Sequence, residues 1–100
     1  MDEARYLQVK KDIFIKQLKD DIDHCKRVNE GNERDIASFT QYTKDQIERL
    51  QTYNMTPGER EQEKEILEYR LEKDRIQRTE DIQKNNKLID FMEKKLQELQ

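Results

Sequence analysis

The chain has no tryptophan, a single proline, two glycines, one cysteine and one histidine among 100 residues, and each shortage excludes something. One cysteine forms no internal disulfide, so the chain is not a disulfide-stapled secreted scaffold. One His and one Cys fall short of the three or four ligands that a zinc site needs. Asp20, Asp21, Asp23, His24 and Cys25 therefore read as a solvated helix face beside a small core residue. Ser38 and His24, the pieces available for a nucleophilic triad, lie far apart on one rod with no pocket around them. A glycine-rich phosphate loop is missing too. No apolar run approaches the roughly 20 residues of a membrane span. The opening stretch, Met1-Asp2-Glu3-Ala4-Arg5-Tyr6, is acidic and polar, unlike a signal peptide. Twenty basic residues against twenty-three acidic ones leave a net charge of −3. That balance supplies no bulk field for a nucleic acid or a membrane surface. No catalytic residue, cofactor or metal is expected, and a cytoplasmic protein is.

What the chain has in abundance is charge, 43% of its residues, against 32% hydrophobic ones. A thick core is out of reach. Glu, Lys, Arg and Leu with almost no Gly or Pro is the composition of long helices and coiled coils. Disorder is the competing reading of such a composition, but its apolar residues would have no reason to be periodic. Here they are. Ile15, Leu18, Ile22, Cys25, Asn29, Asn32, Ile36, Phe39, Thr43, Gln46, Leu50 and Tyr53 alternate three and four apart, the a/d register of a coiled coil. Asn29 and Asn32 in the middle of that seam suggest a device that fixes register, at some cost in stability. Gly31 between them admits another reading, a turn that would make a three-helix bundle, but the spacing passes through it without a change of phase.

Before Ile15 the apolar residues Leu7, Val9, Ile13 and Phe14 cover more than one narrow stripe, the mark of a helix with more than one neighbour. In the second half the apolar sites are Ile66, Tyr69 and Ile76, then Ile82, Ile89, Met92, Leu96 and Leu99, with one slip of phase near Thr79.

Thr56-Pro57-Gly58-Glu59 separates the halves. Thr56 suits an N-cap, Pro57 the first helical position, and Glu59 the third place of a capping box. Asn54 accepts a left-handed conformation and so could close the first helix. The predicted organisation is one module: helix 2–53, turn 54–56, helix 57–100.

If the helices fold back, facing residues have numbers that sum to a constant near 111. The apolar-rich stretch Ile13–Cys25 then lies against Ile82–Leu99, Ile22 faces Ile89, and Cys25 faces Asn85, Asn86 and Lys87. At about 1.5 Å per residue the hairpin is about 75 Å long. The expected fold is all-α, a long antiparallel helical hairpin that self-associates through its open end. Lysines at that end (Lys10, Lys11, Lys16, Lys19, Lys84, Lys87, Lys94, Lys95) are interleaved with acids and read as a solvated face. Tyr42, Tyr53 and Tyr69 are candidates for a partner-binding tip.

The function this implies is a non-enzymatic coiled-coil interaction or scaffold module whose protein partners include a second copy. Two alternatives stand beside it. One is a kinked rod segment of a larger cytoskeletal or motor-associated coiled-coil protein. The other is a three-helix-bundle cofactor or chaperone.

Overall fold

Residues 2–100 are described by a computed structural model. They form two long helices and one short turn of 3₁₀ helix, arranged as an all-α helical hairpin. Helix α1 runs Glu3–Arg49 and helix α2 runs Pro57–Leu99. The Asp2 carboxylate caps α1 by accepting from the Arg5 backbone N–H at 2.7 Å.

α1 stops earlier than its spacing predicts. It ends at Arg49 rather than Tyr53, and Leu50–Thr52 tighten into the 3₁₀ turn. Asn54 takes no part as a left-handed cap, because no residue other than glycine has positive φ among those described. The carbonyls at the end of α1 find other partners. The Thr52 hydroxyl donates to the Arg49 oxygen at 2.7 Å, and the Tyr53 N–H to the Leu50 oxygen at 3.4 Å. The Arg60 guanidinium reaches back from α2 and donates to the carbonyl oxygens of Leu50, Tyr53 and Met55 at 3.1, 3.4 and 3.3 Å. On the other side Thr56 caps α2, its hydroxyl accepting from the Glu59 N–H at 3.1 Å. Pro57 opens the helix, where its missing N–H costs nothing.

α1 is continuous through Gly31, so the described residues form no third α-helix. It doubles back after Arg49, and so it is not an extended rod kinked at Pro57. Gly31 has no positive φ, and a Cβ there would meet only the Arg34 Nη2 at 3.9 Å. Nothing in the packing requires glycine. Gly31→Ala is expected to stabilise the protein by about 1 kcal/mol, read as a shift of the urea midpoint at constant slope.

Contacts between the helices fall into two compact units. The first joins residues 2–30 to Ile82–Gln100. Its core is Leu18, Ile22 and Cys25 of α1 with Ile89 and Met92 of α2, and Leu96 and Leu99 pack against it. Asn29 is buried at one end of this cluster. Its amide donates to Asn86 Oδ1 at 2.9 Å and its oxygen accepts from Asn85 Nδ2 at 3.0 Å. These pairs put facing residues at sums of 114 and 115, about one helical turn from the predicted 111. Cys25 consequently lies in the cluster with Ile89 rather than against Asn85 and Asn86. The reason is polar. A buried Asn needs both an acceptor and a donor, and the adjacent asparagines of α2 supply both in this register.

The second unit is Gly31–Asp81 and contains the connection. Thr43 of α1 and Leu50 of the 3₁₀ turn are buried, and Asn32, Ile36, Phe39 and Gln46 are among the half-buried residues of α1. On α2 the half-buried positions are Arg60, Lys64, Leu67, Leu71, Asp74, Arg78 and Asp81. The spacing of three and four is there, but on a different set of residues from the predicted Ile66, Tyr69 and Ile76, which are exposed. Ile36, which a sum near 111 would set within one residue of Ile76, lies instead on the helix face that carries Asn32, whose oxygen accepts from Arg78 Nη1 at 3.2 Å. Arg60 explains the rotation of α2. Its guanidinium must point at Leu50, and nine residues on at about 100° each Tyr69 is on the opposite side of the helix.

Candidate interaction surfaces

α2 carries two apolar stripes, and the hairpin uses one of them. Leu67 and Leu71 turn toward α1. Ile66, Tyr69 and Ile76 turn away, with Tyr69 67% and Ile76 52% exposed. Apolar residues on both sides leave α2 with scarcely any net amphipathicity, whereas α1 concentrates its own on one face.

Beside the second stripe runs an open groove of about 720 Å³, lined by Phe39 of α1 and by Tyr69, Lys73, Ile76, Gln77 and Glu80 of α2 among others. The Phe39 ring is stacked on Tyr42, with centroids 6.2 Å apart and planes at 16°. Tyr42 is exposed. The groove therefore offers two aromatic rings, Phe39 and Tyr69, and one aliphatic side chain, Ile76, rimmed by Arg70 and Lys73 and by Glu72, Asp74 and Glu80. Both signs of charge line it. Asp74 on the rim also binds Arg78 at 3.0 Å, and Asp35 binds the same guanidinium at 3.1 Å. Such a surface suits the side chains of another helix: apolar ridges in the middle and mixed charges along the edges.

In the first unit Ile15 and Ile82 are half-buried, while Tyr6, Leu7, Val9, Ile13 and Phe14 of α1 and Leu88 and Phe91 of α2 are exposed. Tyr53, a predicted tip residue, is exposed in the connection, and its backbone oxygen is one of the three that Arg60 binds. Thr56, Pro57, Gly58 and Glu59 are exposed and serve as cap and first turn of α2. Arg60 is the residue that the sequence reading passed over. A basic residue ten places after a seam leucine, across a predicted turn, is the only signal that could have marked it.

The titratable residues gather into no recognisable centre. His24, Asp20 and Ser38 are exposed on α1, and Cys25 is a free, buried thiol among aliphatic side chains. Among the described residues no three His, Cys, Asp or Glu side chains converge as a metal site. No described helix is long and apolar enough to cross a membrane. The mixed lysines and acids of the first unit include one ion pair across the helices, Lys26 to Glu93 at 3.4 Å, with both side chains about half exposed. A pair in that setting adds at most a few tenths of a kcal/mol.

No family model, curated protein or solved structure matches the chain.

Proposed function

We propose that the protein is a non-enzymatic interaction module that works by helix pairing, holding protein partners on apolar stripes that its own hairpin leaves uncovered. The observation that carries this reading is the outward stripe Ile66–Tyr69–Ile76 with its groove against Phe39. Apolar side chains repeating at helical spacing on an outer face gain roughly 25 cal/mol per Å² when a second helix covers them. In a chain so poor in apolar residues, a whole stripe of them on the solvent side of α2 serves association better than folding. The coiled-coil seam supplies a rigid support, and its partners include a second copy of the chain.

A photo-crosslinking residue at Tyr69, expressed in cells, tests the reading. A discrete product is expected from that position and not from Glu61, and Ile76→Lys should abolish it while helicity stays unchanged. Identical patterns from the two positions, or a product indifferent to Ile76→Lys, would contradict it.

A further inference from the structure

Residues 3–14 of α1 carry a stripe of their own. Tyr6, Val9 and Ile13 are spaced three and four apart, and each is about half exposed. Val9 lies nine residues before Leu18, which is half a turn around the helix at about 100° per residue. The stripe thus faces away from the seam with α2. Two flanks border it. Glu3 and Lys10 lie along one edge, Arg5 and Asp12 along the other. The Lys10 ammonium rests over the Tyr6 ring, 5.2 Å from its centroid, and Asp12 accepts from the Gln8 amide at 2.9 Å. Both charges therefore stay at the margins of the stripe.

Each flank reverses sign along its own length, acid to base on one and base to acid on the other. That arrangement is self-complementary for antiparallel partners only. A two-fold axis between Leu7 and Gln8 sets Tyr6 against Val9 of the second copy. It also brings Glu3 near the second copy's Lys10 and Arg5 near its Asp12, each pair occurring twice. Parallel pairing would set Arg5 against Lys10, a repulsive contact. We infer that the Tyr6–Val9–Ile13 face of α1 binds the same face of a second copy of this chain, antiparallel and about a two-fold axis. The inference rests on the helix-pairing reading and assigns it a second surface, separate from the Tyr69 groove.

Three apolar residues a side cover far less than the roughly 800 Å² per partner of a typical stable interface, so the contact is weak and reversible. The stripe supplies its affinity, and the flanking charges choose its direction.

Sedimentation equilibrium on the full chain up to millimolar concentration, in reducing buffer, tests the inference. The chain should show a concentration-dependent dimer, and Val9→Glu, at the centre of the pairing, should abolish it. Glu3→Lys and Lys10→Glu should each weaken it roughly threefold to tenfold, since either turns two attractive pairs repulsive. The double variant should restore the dimer. Glu3 and Lys10 are seven residues apart on one helix and do not touch, so rescue can arise only between copies. A chain that stays monomeric, single variants without effect, or a double variant as weak as the singles would overturn the inference. Because these residues are exposed, unchanged helicity by circular dichroism confirms that each variant is folded. The Tyr69 cross-linking result is independent of all of them and decides the broader reading by itself.

Discussion

Ile22→Ala is expected to destabilise the protein by about 3 kcal/mol, while Ile76→Ala leaves its stability within about 0.5 kcal/mol of the parent. The two isoleucines look equivalent in the sequence, each at a place where an a/d stripe can be drawn. Their surroundings differ. Ile22 is 5% exposed and packs with Leu18, Cys25, Ile89 and Met92. Truncating it removes three carbons from water exclusion and opens a void among side chains that have few other neighbours. Ile76 is half exposed on the outer face of α2. A two-helix molecule starts from a small total stability, so the Ile22 variant should be largely unfolded by moderate urea. Urea titrations followed by circular dichroism would compare the pair. Equal losses would mean that α2 is rotated differently from the arrangement described above.

The second large effect is at Arg60. Its guanidinium is the common donor to three carbonyls in a connection that contains no left-handed cap. Arg60→Met keeps the length of the side chain and removes every donor. Hydrogen bonds from a charged group each contribute about 1.5–3 kcal/mol, but these are long and partly exposed to water, which takes over some of the lost bonds. A net loss of about 2 kcal/mol is expected. Arg60→Lys should recover little of it, since an ammonium has no planar fork to span three oxygens. A control follows from the same geometry: Lys64→Met, one turn further along α2, should cost less than about 1 kcal/mol. Should Arg60→Met and Lys64→Met prove equal, Arg60 would not be the clasp of the connection.

How much of this was written in the residues depends on the element. α1 announces itself, because from Ile15 to Leu50 a single stripe competes with no other, and its positions are all buried or half-buried. The start of α2 is equally legible, since Thr56 and Pro57 act through local backbone chemistry that needs no tertiary partner. The rotation of α2 was not. Ile66, Tyr69 and Ile76 are as good a seam as Leu67 and Leu71 by spacing alone. The choice between them is made by Arg60, a long-range contact between residues on either side of the connection. The register of the first unit was missed by about one turn for a related reason. Apolar residues slide past one another with little change in energy, whereas Asn29 is satisfied only where Asn85 and Asn86 both meet it. Polar pairs set what apolar periodicity leaves open. The outward stripes that carry the proposed function were visible as surplus apolar residues, but which stripe was surplus became clear only once α2 was oriented.

The core of the first unit, the Arg60 clasp and the outward stripes all depend on α2 returning along α1. Spin labels at Lys26 and Glu93, whose side chains pair across the two helices at 3.4 Å, would measure that return. They should be placed in a Cys25→Ala background and diluted with unlabelled protein, so that only distances within one chain are read. Double electron–electron resonance should give one narrow distribution centred near about 20 Å, allowing for the label arms. An uninterrupted helical path between the two sites would instead separate them by about 100 Å at 1.5 Å per residue, and a distribution with nothing below about 60 Å would contradict the hairpin.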